Sequence, residues 1–149
     1  MACNNGNGNR AYQKSCVRYF NNAPQLLAAD SENVLTLVVN SGSSIQVEPQ
    51  SYDTVKIGLY HLAADAVIAA TAAGVLTLQW YMDGVALPCT LKRVTLPASG
   101  NAEIHTETDL ELSGCCCCCV NHTFTLVATT DSTAAGSVIE LCTGLLKLA

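Results

Sequence analysis

Three groups of residues have the types and spacing from which chemistry is built. They are a run of five thiols, Cys115, Cys116, Cys117, Cys118 and Cys119; the imidazoles His61, His105 and His122; and the acidic row Glu103, Glu107, Asp109 and Glu111. Adjacent cysteines suggest metal or disulfide chemistry, but their geometry serves it poorly. In an extended chain Cys115, Cys117 and Cys119 share one face at intervals of roughly 6.6 Å, and Cys116 and Cys118 share the other. A tetrahedral zinc site needs thiolates about 2.3 Å from one point, normally from pairs two to four residues apart that fold around the ion. No such Cys-x-x-Cys pair exists outside the run. Burial of the thiols as small hydrophobes is the plainer reading. Nucleophilic catalysis needs a nucleophile, a base and an orienting group held together. The histidines, Cys89 and the run offer candidates, but nothing in the sequence assembles them, so no catalytic residue is assigned and no enzyme is expected. Carboxylates two apart on a strand lie about 6.6 Å from each other, close to the separation of roughly 6.5 to 9.5 Å in an inverting glycosidase. Strict alternation of acids also describes a solvated strand face, which is the reading preferred here, with calcium binding as the alternative.

The nine cysteines (Cys3, Cys16, Cys89, the run and Cys142) are odd in number, and the sequence opens at Met1 without an apolar signal-type segment. Synthesis and assembly in the cytoplasm are expected, with disulfides no part of the framework. The sequon Asn121-His122-Thr123 then carries no glycan, because it needs a secretory route. The 149 residues suit one domain with a real core. Only 13% of them are charged, against about a quarter in an ordinary soluble protein. The surplus of Ala, Val, Leu, Thr and Cys has to be hidden, and a subunit interface is the economical place. The net charge of −5 has no basic cluster behind it, which argues against nucleic-acid or anionic-membrane partners. No stretch reaches the roughly 18 to 20 apolar residues of a membrane span.

The elements that must position these groups read as strands. Residues 1–32 are set apart as an N-terminal arm: an Asn/Gly-rich start leads into Arg10, Lys14 and Arg18 interleaved with Tyr12, Tyr19 and Phe20. Residues 33–149 show alternation with turn punctuation, the pattern of an antiparallel all-β domain. Leu35, Leu37 and Val39 give a first strand, Ile45 and Val47 a second, and Val55, Ile57 and Leu59 a third. Leu62 to Ala73 is read as strand despite the helical propensity of its alanines. Leu76, Leu78, Trp80 and Met82 alternate up to Asp83-Gly84, a hairpin signal that predicts a return strand through Leu87. Ile104, Thr106, Thr108, Leu110 and Leu112 oppose Glu103, His105, Glu107, Asp109 and Glu111 across one half-buried strand. Phe124, Leu126 and Ala128 repeat the pattern, and a more continuously apolar strand runs from about Ser137 to Leu148.

Gly58-Leu59-Tyr60-His61, the alanine-rich stretch, Gly74-Val75-Leu76-Thr77-Leu78, Met82-Asp83-Gly84-Val85-Ala86-Leu87-Pro88, the cysteine run and the closing Leu145-Leu146-Lys147-Leu148-Ala149 together resemble a group of phage structural proteins. These have an antiparallel jelly-roll sandwich of the C1q and tumour-necrosis-factor type, also found in the C-terminal domain of the spore-surface protein BclA. The collagen-like stalk of BclA has no counterpart in this sequence. The resemblance covers residues 33–149 and implies a homotrimer on the virion capsid surface, a decoration or head-fibre subunit whose partners are the major capsid protein or other virion proteins. The alternatives it leaves are a tail or receptor-binding adhesin that takes a host-surface glycan, with Tyr81 as the aromatic to test, and a BclA-like spore-surface protein. The arm residues Arg10, Tyr12, Lys14, Arg18, Tyr19 and Phe20 are the expected capsid anchor. The cysteine run, Leu141 and Leu145 are the expected trimer interface. No cofactor is expected. The exception considered is a metal, or interchain disulfides, formed where a three-fold axis brings three copies of the run together.

Overall fold

The computed structural model describes residues 16–37, 50–54, 58–113 and 122–148. Within them eleven strands form two antiparallel sheets: β1 (Cys16–Asn21), β2 (Gln25–Leu27), β3 (Glu32–Val34), β4 (Tyr52–Thr54), β5 (Gly58–Ala72), β6 (Gly74–Met82), β7 (Val85–Ala86), β8 (Lys92–Leu96), β9 (Gly100–Leu112), β10 (His122–Thr130) and β11 (Ala135–Lys147). One sheet runs β1-β11-β5-β9, with β2 also on β11. The other runs β3-β10-β6-β7, with β4 also on β10 and β8 also on β6. Because β1 and β2 share one position on β11, β3 and β4 one on β10, and β7 and β8 one on β6, eight strand positions remain, ordered 1-8-3-6 and 2-7-4-5. That interleaving of distant strands is the jelly roll.

The alternation read from the sequence sets the core. Tyr60, Leu62, Ala64, Ala66, Ile68 and Ala70 of β5 point inward, against Leu76, Leu78 and Trp80 of β6 and Phe124, Leu126 and Ala128 of β10. The alanine-rich stretch is strand because its inward positions face bulky side chains from the opposite sheet, where small residues fit and tertiary packing overrides helical propensity. Trp80 is fully buried and stacks on Tyr52 with ring centroids 6.0 Å apart. Buried hydroxyls find partners: Thr106 Oγ1 donates to the Thr90 carbonyl at 2.6 Å, Thr90 Oγ1 donates to that of Leu87 at 2.7 Å, and the Tyr52 hydroxyl pairs with Thr143. At the β6–β7 hairpin, Asp83 and Gly84 both take positive φ, 52° and 78°, as a type I′ turn requires.

Three expectations need correction. The arm was expected to end at residue 32, but β1 pairs with Asn21↔Leu141 through Cys16↔Leu146 and β2 with Gly136 to Val138, so the sandwich already begins at Cys16. Polar side chains fix this segment: Asn21 Nδ2 donates to the Thr36 carbonyl at 2.7 Å, and Gln25 Oε1 accepts from Thr36 N–H at 2.7 Å. The loss of apolar alternation that suggested an arm reflects an edge strand tied by amide side chains. Second, Leu141 and Leu145 are 0% and 2% exposed within one chain and belong to the core. A bulge between Val138 and Glu140 reverses the facing of every residue beyond it. Cys142, Gly144 and Leu146 therefore face outward. Third, Leu59, expected in one apolar row with Val55 and Ile57, lies on the outer face, and Tyr60 takes the inner position. Leu35 and Leu37 are buried as expected, although the strand at that point, β3, ends at Val34. Val39, Ile45, Val47, Val55 and Ile57 lie outside the described residues.

Candidate functional site

The most developed array of polar groups lies on the outer face of the β5 sheet. The motif His-x-x-x-Asp occurs as His61 to Asp65 on β5 and as His105 to Asp109 on β9. The antiparallel register centres on Ala63↔Glu107, so His61 meets Asp109 and Asp65 meets His105. Nδ1 of His61 is 2.6 Å from Asp109 Oδ1, and Nδ1 of His105 is 2.6 Å from Asp65 Oδ1. Between them stands Glu107, with Oε2 3.4 Å from His105 Nε2 and 3.7 Å from His61 Nε2. The result is an unbroken ladder, Asp109, His61, Glu107, His105, Asp65, in which carboxylate and imidazole alternate.

The hydrogen bond to Asp65 is the main cause holding the His105 pKa above its ordinary value, opposed by partial desolvation and aided by the charge of Asp65 and by Glu107. A short contact from each Nδ1 to a carboxylate places the proton on Nδ1. In a neutral ring Nε2 then carries a lone pair toward Glu107. Protonation turns that repulsion into the attraction of an ion pair, across 3.4 Å to His105 and 3.7 Å to His61.

Along β11 and β1 the same face turns apolar. Leu146 lies opposite His61, Gly144 opposite Ala63, and Cys142 opposite Asp65, with Phe20 of β1 next to Cys142. Phe20 (56% exposed), Leu26 (83%), Leu59 (38%) and Leu148 (40%) all lie on this side, four of the seven large hydrophobics exposed among the described residues. A depression of about 360 Å³ lies between the two halves, lined by Asp65, Val67, Glu103, His105, Glu140 and Cys142. Across it the order is Cys142, Asp65, His105. A carboxylate thus stands beside the thiol at the place where activation of a nucleophile needs an imidazole.

Of the expected site residues, Arg18 and Tyr19 lie in β1 opposite Gly144 and Thr143, and Phe20 lies opposite Cys142. Arg10, Tyr12, Lys14 and all five residues of the cysteine run fall outside the described residues. Among the described residues no group of three or more His, Cys, Asp or Glu side chains is arranged to hold a metal ion. His122, the third imidazole, sits apart: its Nδ1 is 2.6 Å from Asp83 Oδ2, and Thr123 N–H donates to Asp83 Oδ1 at 2.8 Å, closing the hairpin onto β10. The His122 bond is the main cause lowering the Asp83 pKa. Tyr81 projects from the opposite sheet, its hydroxyl 3.4 Å from Glu32 Oε1, while Trp80 is core. The ladder was missed from sequence because the acids and the histidines were read separately; the repeated His-x-x-x-Asp spacing was the signal that joins them.

No protein-family model matches the chain, and no curated protein matches it by sequence. Solved structures do match, 66 chains in all. One belongs to the structure of infectious bursal disease virus Gx strain, with 11% identity and a TM-score of 0.45 over 91% of this chain and 37% of that one. This chain thus spans little more than a third of its length. Another is CBM35 from Cellvibrio japonicus Abf62, with 13% identity and a TM-score of 0.34 over 87% of this chain and 92% of that one. Neither likeness is close enough to assign a function, and the fold stands on the strand pairing itself.

Proposed function

We propose that this chain is a non-enzymatic virion structural subunit, a jelly roll that assembles as a homotrimer through the outer face of its β5 sheet and decorates the capsid. The observation that carries this reading is the set of exposed apolar side chains Phe20, Leu26, Leu59 and Leu148 along one face. Its centre is the flat Ala63↔Gly144 pair, where a second copy can approach closely. A monomer seldom leaves such a face to water. The low charged fraction points the same way, and so does the resemblance, since trimeric jelly rolls of that type turn the sheet holding their first and last strands toward the three-fold axis. Attachment to the capsid is assigned to Arg10, Tyr12 and Lys14, ahead of β1, where three copies would add their affinities.

Sedimentation velocity is expected to return three times the chain mass. Leu26→Glu or Phe20→Glu should shift the protein to monomer, while Thr125→Glu on the other sheet should not. Monomer at all concentrations, or dissociation by Thr125→Glu alone, would overturn the choice of face. Cryo-electron microscopy of particles from the source tests the role: density for this chain on the capsid lattice is expected, and density confined to the tail would make it an adhesin.

A further inference from the structure

We infer that the Asp109, His61, Glu107, His105, Asp65 ladder is a pH-dependent lock for the contact between copies of this chain, closing as the histidines take up protons. The inference rests on the assembly face proposed above and assigns its regulation. With both imidazoles neutral the three carboxylates leave the ladder at −3; with both charged it stands at −1. Three copies brought together around an axis would thus gather nine negative charges at high pH and three at low pH, in a contact whose apolar half lowers the local dielectric and magnifies the difference. Protonation also makes the two Nε2 contacts to Glu107 attractive, where a neutral Nε2 turns a lone pair toward the carboxylate.

Of the charged or titratable groups around the ladder, the acids act in the same sense, and two cations, Lys147 and Arg18, stand on the strands beyond β5. On β9 the acids are Glu103 and Glu111, and on β11 Glu140 and the thiol Cys142, with Glu103, Glu140 and Cys142 lining the depression beside His105. Lys147 pairs with Tyr60, one position beyond the His61 row, and Arg18 occupies the β1 position opposite Gly144. The surrounding acids favour the imidazolium form. For a histidine whose pKa is raised, the stabilisation is complete below its ordinary value of about 6.5 and is lost as pH rises through the raised value. Assembly brings the ladders' like charges together and so favours the imidazolium form beyond its level in the free chain, which makes assembly stronger in acid and weaker above neutrality.

The test is sedimentation velocity of the full chain at pH 5.5, 7.0 and 8.5, with histidine ring titrations by NMR. The dissociation constant should rise about tenfold or more from pH 5.5 to 8.5, because each histidine whose pKa moves up by one on assembly changes it tenfold. Glu107→Gln should flatten that dependence, and Glu32→Gln, an equal charge change on the other sheet, should preserve it. The His105 ring should titrate above about 6.5. An oligomer of pH-independent affinity, or a steep dependence unaltered by Glu107→Gln, overturns the lock and leaves the assembly face standing. A monomer at every pH overturns both.

Discussion

Replacing Leu141 by alanine separates a core residue from a residue of the proposed assembly face on the same strand. Leu141 is fully buried and pairs in register with Ala66 of β5, a residue too small to swing into vacated space. A Leu→Ala change at such a site loses the transfer energy of the removed carbons and leaves part of the cavity, together about 3 kcal/mol or more. For a domain of this size each kcal/mol moves the midpoint by roughly 2 to 4 °C, so Tm should fall by about 6 to 12 °C. Leu146, five positions on, faces outward and is half-buried. Leu146→Ser should cost the isolated chain less than about 1 kcal/mol. It should also abolish the concentration dependence of Tm that a folded assembly imposes. The single tryptophan, Trp80, stacked on Tyr52 in the core, supplies the fluorescence signal for urea titrations, and Leu141→Ala should shift the midpoint without changing the slope. If Leu141→Ala dissociated the oligomer at an unaltered monomer midpoint, the facing assigned beyond the bulge would be wrong.

Two glycines should respond differently to alanine. A Cβ on Gly136 would lie 2.5 Å from the Ala69 carbonyl oxygen and force β11 from β5, whereas one on Gly84 meets nothing within 4 Å and suffers only its φ of +78°. In urea titrations Gly136→Ala should cost on the order of 2 kcal/mol or more, and Gly84→Ala about 1. Asp131 accepts N–H bonds from Ala134, Val75 and Thr133, the first being the largest cause holding its carboxyl at about 2, below the ordinary 3.8. A lowered carboxyl pKa gives stability that is present above the unfolded value and lost as pH falls through the folded one. Asp131→Asn should thus lower Tm at pH 7, and its gap from the parent protein should close between pH 3.8 and about 2; a gap constant with pH would refute the assignment.

Much of the sandwich was legible because it rests on period-two burial. Leu76, Leu78 and Trp80 inward, Tyr81 outward, the Asp83-Gly84 turn and the Ile104 to Leu112 face all follow from which side chains water excludes. The reading failed where pairing outweighs pattern. Cys16–Asn21 carries little apolar alternation because half its support comes from β11 and from amide bonds to Thr36, partners more than a dozen residues away. Leu141 and Leu145 were expected at an interface and lie in the core because a single bulge between Val138 and Glu140 sets the facing beyond it, and nothing in the string Ser137-Val138-Ile139-Glu140 marks where the extra residue sits.

The ladder shows the same limit at the level of chemistry. Read alone, Glu103 to Glu111 is a solvated edge, and charges there protect a long strand from pairing with a stranger. Read with its partner, the strand has two histidines for its acids, matched because His-x-x-x-Asp is laid against its own reverse. Shifting β9 by two residues would keep every hydrophobic residue inward and still break both 2.6 Å contacts, pairing His61 with Glu107 or Glu111 in place of Asp109. Burial alone permits that shift. The His–Asp pairs, together with the buried Thr106 to Thr90 bond, therefore favour this register, and a variant that loses the pairs should loosen β9 before it loosens the core.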